Sequence, residues 1–96
     1  MPQDQMGRGL ELRMVPAIRP ENQEWRRHIS VRQRVILRRL AQDWTDHRTA
    51  RSLEISDRQV RREIETLCRL FGATGRIQLV GKALMTGAIP WTMFVS

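Results

Sequence analysis

The chain has 96 residues, of which 41% are hydrophobic and 28% charged, and this composition predicts one folded domain rather than a disordered chain. Its apolar runs are far shorter than the roughly 18 residues that span a bilayer, and residues 1–9 are polar with no apolar signal segment behind them. We therefore expect a cytoplasmic protein. Cys68 is the only cysteine, which excludes an intrachain disulfide and a multi-cysteine metal site.

The net charge of +7 points to a polyanionic partner, either nucleic acid or an anionic surface. Eleven arginines and four acidic residues lie between Arg26 and Arg62, whereas the charges of the rest of the chain cancel. The segment between these two arginines is therefore where we expect the polyanion to bind.

Residues 1–28 are interpreted as a leader and linker. Apolar and charged residues alternate over residues 10–14, which predicts a short strand. Pro16 and Pro20 mark a linker after it. Trp25 is the one aromatic residue of the polar stretch that follows, and we expect a helical turn there that packs this side chain on the domain.

A helical domain is predicted over residues 29–90. Ser30, with Gln33 three residues later, has the pattern of a capping box, which opens a first helix that ends near Asp43. The spacing of apolar residues gives this helix a wide core-facing stripe. The stripe comprises Val35, Ile36, Leu37, Leu40 and Ala41.

Two further helices follow closely. Thr45 caps a short second helix over residues 46–53, and Ser56 caps a third over residues 57–71. The third helix has one apolar edge with the spacing i, i+4, i+7 and i+11. This edge comprises Val60, Ile64, Leu67 and Phe71.

A fourth helix is predicted over residues 76–87, ahead of Pro90. The apolar residues that support it are Ile77, Val80, Ala83 and Leu84. The tail that follows, residues 91–96, is strongly apolar, and its aromatic and β-branched content favours a strand. We expect this tail to pack, with residues 10–14 as a candidate partner within or between chains.

The caps and apolar positions of residues 29–90 have a specific order and spacing. The pattern comprises Ile29, Ser30, Val31, Arg32, Gln33, Val35, Ile36, Leu37, Leu40, Ala41, Thr45, Ala50, Leu53, Ile55, Ser56, Val60, Ile64, Leu70, Gly72 and Arg76. It resembles the LuxR/GerE-type helix-turn-helix of bacterial transcription regulators. The resemblance implies an all-α, four-helix domain whose third helix enters the major groove and whose fourth mediates a dimer on a two-fold site. Glu54 departs from it, standing where the family usually has glycine; a positive φ there costs roughly 1 kcal/mol.

The third predicted helix presents one polar face opposite its apolar edge. The face has the spacing i, i+3, i+4 and i+7 and comprises Arg58, Arg61, Arg62 and Glu65. Arginine pairs with O6 and N7 of guanine, and glutamate accepts from the amino group of cytosine, so this face is predicted to read bases. The resemblance places base contacts at Arg61, Arg62 and Glu65. The residues interpreted as phosphate contacts are Thr45, Arg48, Gln59 and Arg69.

Other interpretations of these residues stay open. Asp57 with Arg61, and Arg61 with Glu65, are also i, i+4 pairs that could only decorate a solvated helix. His28 and His47 lack further ligands at useful spacing, so no metal site is expected. The sequence has no glycine-rich phosphate loop, nucleophile elbow or paired carboxylates. We expect no enzyme activity, no catalytic residue and no cofactor.

The remaining distinctive side chains are interpreted as structural. Cys68 is expected at the edge of the core rather than as a sensor thiol. Arg38 and Arg39 are interpreted as solvated surface, with phosphate contact as the alternative. The tryptophans are interpreted as packing residues rather than as a platform for base stacking. They are Trp25, Trp44 and Trp91.

The sequence thus predicts a dimeric, sequence-specific transcription regulator that binds double-stranded DNA in the nucleoid. The first alternative is a protein-interaction module that binds RNA polymerase, a sigma factor or another regulator, and Glu54, Glu63 and Glu65 near the reading surface favour it. The second alternative is nonspecific packaging of nucleic acid. Salt dependence separates DNA binding from an apolar protein interface, because only the former releases counterions in proportion to the phosphates neutralised.

Overall fold

The computed structural model describes residues 25–94, which form an all-helical bundle. Its elements are α1 (Trp25–His28), α2 (Val31–Ala41), α3 (Asp46–Leu53), α4 (Asp57–Phe71), α5 (Arg76–Thr86) and a 3-10 helix (Trp91–Phe94). Helices α2 to α5 correspond to the four helices predicted from the sequence. The strand predicted over residues 10–14 lies outside the described residues. None of the helices between residues 25 and 94 is long and apolar enough to cross a lipid bilayer.

Side-chain caps set where three of the helices begin. The Oγ of Ser30 accepts from the backbone N–H of Gln33 at 3.1 Å, and the Ser30 N–H donates to Oε1 of Gln33 at 2.9 Å. This reciprocal pair confirms the predicted capping box. Thr45 and Ser56 cap α3 and α4 through their hydroxyl oxygens, as predicted.

Residues with positive φ set where the helices end. α2 ends at Ala41, short of the predicted end near Asp43, because Asp43 adopts a left-handed φ of 65° that an α-helix cannot contain. Gly72 and Gly87 take the same left-handed region, at φ 68° and 83°, and end α4 and α5.

One hydrophobic core lies where α2, α3, α4 and α5 meet. The large side chains that are shielded completely from solvent are Trp25, Ile36, Leu37, Val60, Leu67, Phe71, Leu79 and Ile89. The apolar edge predicted for α4, from Val60 to Phe71, is confirmed, since its four members are at most 4% exposed. Burial of each such side chain contributes roughly 1.5–3 kcal/mol, so this edge fixes which face of α4 turns outward.

Only part of the apolar pattern of α5 faces inward. Ile77 is one of the apolar residues from which this helix is predicted, but its side chain is 91% exposed. The buried residues of α5 are Leu79, Ala83 and Thr86. Successive residues of a helix are rotated by roughly 100°, so Ile77, two positions before Leu79, lies on the far side of the helix.

The N-terminal turn belongs to the packed unit. Trp25 is 1% exposed, and its Nε1–H donates to the backbone carbonyl of Thr86 at 2.8 Å. The expected helical turn that packs this tryptophan is therefore present as α1. The packed core includes Trp25, which lies before the predicted domain boundary at residue 29.

The predicted strand in the C-terminal tail is wrong for Trp91–Phe94, which forms a 3-10 helix. Its first turn is closed by the N–H of Met93, which donates to the carbonyl of Pro90 at 3.2 Å. Met93 packs against the core, whereas Trp91 is 68% exposed. Trp91 therefore does not pack against the core of residues 25–94, and its predicted packing between chains stays a prediction.

Candidate nucleic-acid interface

Helices α3 and α4 and the turn between them make up the predicted helix-turn-helix segment. The turn consists of residues 54–56. Its first residue, Glu54, is left-handed with φ 59° and ψ 42°, and the N–H of Ile55 donates to the carbonyl of Ala50 at 3.0 Å. Ala50 and Val60 are both 1% exposed, so the two helices are held against each other by core packing.

The predicted base-reading face lies on the solvent side of α4. All four of its side chains are exposed: Arg58, Arg61, Arg62 and Glu65. None of these four side chains makes a hydrogen bond or an ion pair with any residue between 25 and 94. With three guanidinium groups and one carboxylate, the face carries a net positive charge and has all of its donors available for a ligand.

The intrahelical pairs that would neutralise this face do not form. Oδ1 of Asp57 lies 3.1 Å from Nδ1 of His47. Arg61 makes no ion pair with either Asp57 or Glu65. The i, i+4 ion pairs considered from the sequence are therefore absent among residues 25–94.

Glu63 points away from this face. Its Oε1 accepts from Nε2 of Gln33 at 2.8 Å, and its Oε2 lies 3.9 Å from a guanidinium nitrogen of Arg32. These contacts tie α4 to α2 and leave Glu65 as the one carboxylate among the residues of the face. The sequence reasoning missed this tie, because residues 33 and 63 are far apart in the chain.

The predicted phosphate contacts lie in three places, at the start of α3, in the first turn of α4 and near the end of α4. Thr45 and Arg48 are exposed at the start of α3, and the Thr45 hydroxyl oxygen accepts from the Arg48 N–H at 3.1 Å. Gln59 lies half-buried in the first turn of α4. Arg69 is exposed near its other end, about 15 Å along the helix axis, and donates to Oγ1 of Thr66 at 3.3 Å. These residues therefore frame the polar face of α4 rather than form one cluster.

An ion pair connects the start of α3 with the start of α5. The guanidinium of Arg76 donates to both carboxylate oxygens of Asp46, at 2.7 and 2.8 Å. These hydrogen bonds hold the pKa of Asp46 below its usual value against the effect of burial, and the charges of Arg76 and Arg61 add to the shift. The sequence offered Arg76 only as part of the family resemblance and gave no signal of its partner.

The indole of Trp44 carries two arginine side chains. The guanidinium carbon of Arg39 lies 4.4 Å from the ring centroid, and that of Arg48 lies 3.8 Å from it, both within the range of a cation–π contact. The interpretation of Arg39 as plain solvated surface is therefore wrong. Arg48 is exposed but also stacks on the Trp44 ring, a contact that the sequence pattern did not indicate.

The described residues offer little for metal or thiol chemistry. No group of three or more His, Cys, Asp or Glu residues between residues 25 and 94 is arranged to hold a metal ion. Cys68 is half-buried at the edge of the core, as predicted, and burial raises the pKa of its thiol. Its thiolate, the form that reacts, is therefore disfavoured.

Comparisons of the chain with known protein families, with curated proteins and with solved structures found no match.

Proposed function

We propose that the chain is a sequence-specific, DNA-binding transcription regulator of the LuxR/GerE helix-turn-helix type, which acts in the nucleoid. In this proposal α4 enters the major groove, and residues at the starts of α3 and α4 bind the flanking phosphates. The caps at Ser30, Thr45 and Ser56, and the left-handed residue between α3 and α4, support the fold assignment because they stand where the resemblance expects them.

The observation that carries the proposal is the unpaired arginine face of α4. Arg58, Arg61 and Arg62 are exposed, and no carboxylate of residues 25–94 pairs with them. Adjacent guanidinium groups repel each other, and an external anion removes that repulsion. Each planar guanidinium also matches the O6 and N7 acceptors of guanine in the major groove. Duplex DNA supplies both the anion and the acceptors.

The outward face of α5 supports a homodimer. Ile77 and Met85 are 91% and 68% exposed, and they lie eight positions apart on the helix with Gly81 midway between them. A side chain added at Gly81 would meet no atom within 4 Å, so a second helix can approach closely there. Pairing of α5 with its copy would cover these apolar side chains and present two α4 helices to a two-fold DNA site.

A protein-interaction module remains the second candidate. Trp91 favours it, because a tryptophan 68% exposed beside the core is a common anchor of protein interfaces. Glu63 does not favour it, since this side chain faces α2 rather than the reading surface.

The test is selection of bound sequences from a random duplex library at near-physiological salt, using the purified 96-residue chain. We expect enrichment of one motif with two-fold symmetry, and an affinity that falls steeply with added salt. A folded sample that enriches no sequence would overturn the proposal and favour the protein-interaction module. Equal recovery of all sequences with strong, salt-sensitive binding would indicate nonspecific packaging.

A further inference from the structure

Trp44 is fixed in the linker between α2 and α3 although it is only half-buried. Its backbone N–H donates to the backbone carbonyl of Arg39 at 2.9 Å. The residue before it, Asp43, has a left-handed backbone with φ 65°. This backbone geometry folds the linker back over the last turn of α2. The indole therefore has a defined position beside the start of α3.

The two arginines on this ring differ in their exposure to solvent and in the contacts that their guanidinium groups make. Arg39 donates from a terminal nitrogen to Oε1 of Gln42 at 2.9 Å, and its Nε is shielded from solvent with no hydrogen-bond partner. The Arg39 guanidinium is thus held in place beside the Trp44 ring. Arg48 is exposed and makes no ion pair with a carboxylate of residues 25–94.

A guanidinium that stacks on an aromatic ring uses its flat face for the contact. Its N–H groups lie in the plane of the group and stay available at the edge. The ring contact of Arg48 at 3.8 Å therefore orients the side chain without consuming its donors. A free arginine loses much rotamer entropy when it binds a phosphate, whereas a stacked one has already lost part of it.

We propose that Trp44 is a positioning residue that holds the Arg48 guanidinium ready for a backbone phosphate of DNA. The inference rests on the proposed function. The hydroxyl of Thr45 completes the contact: its oxygen accepts from the backbone N–H of Arg48 at 3.1 Å, and its own hydrogen can still be donated to the same phosphate. The two positive charges on the ring, from Arg39 and Arg48, lack a carboxylate among residues 25–94 and gain a counter-charge when the phosphate binds.

The test compares duplex affinity across a set of variants of the full chain. Trp44→Leu removes the ring, Trp44→Phe keeps a smaller one, and Arg48→Lys keeps the charge but loses the planar stack. Arg48→Ala and the double variant Trp44→Leu with Arg48→Ala complete a cycle. Trp91→Leu is the matched control, because it removes an exposed indole outside the helix-turn-helix.

We expect Trp44→Leu and Arg48→Lys each to weaken binding by about two- to ten-fold, with Trp44→Phe and Trp91→Leu close to the parent chain. In the Arg48→Ala background, loss of the ring should have no further effect. Because Arg48 is exposed, Arg48→Lys keeps the test valid if Trp44→Leu fails to fold. In the DNA-free chain, the Arg48 side-chain protons should show an upfield NMR ring-current shift that Trp44→Leu abolishes.

Two failures are distinguishable. If the parent chain binds duplexes but Arg48→Lys binds equally well, or the Trp44 and Arg48 losses multiply independently, the positioning role is overturned and the proposed function stands. If the parent chain binds no duplex, the proposed function fails and the positioning role fails with it, even when the ring-current shift demonstrates the stack.

Discussion

Glu54 occupies a backbone conformation that suits glycine. Its φ of 59° lies in the left-handed region, where an L-residue is strained by roughly 1–2 kcal/mol. Its side chain is exposed and makes no hydrogen bond or ion pair with residues 25–94 that would offset the strain. We expect Glu54→Gly to raise the free energy of unfolding by about 0.5–1 kcal/mol, after the extra entropy of glycine in the unfolded chain is allowed for. Urea denaturation monitored by circular dichroism measures the change.

Glu54→Ala is the control for this prediction. It removes the carboxylate but keeps the Cβ that causes the strain, so we expect no comparable gain. Equal stabilisation by both variants would mean that the charge of Glu54, and not its backbone, is unfavourable.

Arg62 is the residue of the exposed face through which base reading can be tested directly. Its side chain has no partner within residues 25–94, so removing it leaves no buried group unsatisfied. We expect Arg62→Ala to weaken binding at the selected site by about 1–3 kcal/mol and to flatten the sequence preference. Competition titrations with the selected duplex and a scrambled one measure both effects.

Arg27→Ala serves as the matched control for Arg62, because Arg27 is exposed on α1, outside the helix-turn-helix. It removes the same charge from the chain. If the two variants lose the same affinity and both keep the sequence preference of the parent, Arg62 acts through charge alone and does not read bases.

At the scale of elements, Asp46 and Arg76 tie α3 to α5 through a bidentate pair at 2.7 and 2.8 Å. We expect Asp46→Asn to lower the free energy of unfolding at pH 7 by about 1 kcal/mol, the upper range for a partly exposed pair. The folded pKa of Asp46 lies below its usual value, and its unfolded pKa is about 3.9. The stabilisation is therefore complete above the unfolded pKa and is lost as the pH falls through the folded pKa.

The difference in stability between the parent chain and Asp46→Asn should therefore shrink below about pH 4. Thermal unfolding followed from pH 7 to acid measures it. Asp43→Asn is the control, since Asp43 is exposed and makes no ion pair within residues 25–94. A gap for Asp46→Asn that stays constant with pH would show that the ion pair contributes nothing.

The sequence predicted the helices because helix signals are local. A cap such as Ser30 with Gln33 acts over three residues, and the apolar edge of α4 repeats within one helix. Contacts between distant segments leave no such signal. The pairing of Arg76 with Asp46 spans thirty positions, and no periodicity indicates it. The tail was predicted as a strand because β propensity was weighed without the turn that begins at Pro90.

The candidate site was predictable in its positions but not in its contacts. The exposure of the α4 arginines follows from the apolar edge opposite them, so the sequence was sufficient to predict it. The buried face of α5 could not be predicted, because this helix has apolar residues such as Ile77 around much of its circumference. The stack on Trp44 depends on how the linker folds back at Asp43, and such a backbone turn is fixed only by the tertiary structure.

At the scale of the whole molecule, the outward face of α5 makes the assembly testable. Ile77→Asp places a charge at a site 91% exposed in the single chain, so the fold should be unaffected while pairing through α5 is lost. Sedimentation velocity should show a dimer for the parent chain and a monomer for the variant. Val31→Asp is the control, because Val31 is 78% exposed on α2. A variant that stays dimeric would move the interface away from α5.

The hydrogen bond from Trp25 to the carbonyl of Thr86 joins positions 61 residues apart. It closes the chain into a loop that contains the whole helix-turn-helix, so α1 cannot detach without exposing the end of α5, and the reverse also holds. The amide hydrogens of Ile29 and Ile89, which are bonded to the carbonyls of Trp25 and Ala83, should therefore exchange with solvent in one cooperative opening. The two ends of this fold would melt as a single unit rather than fray separately.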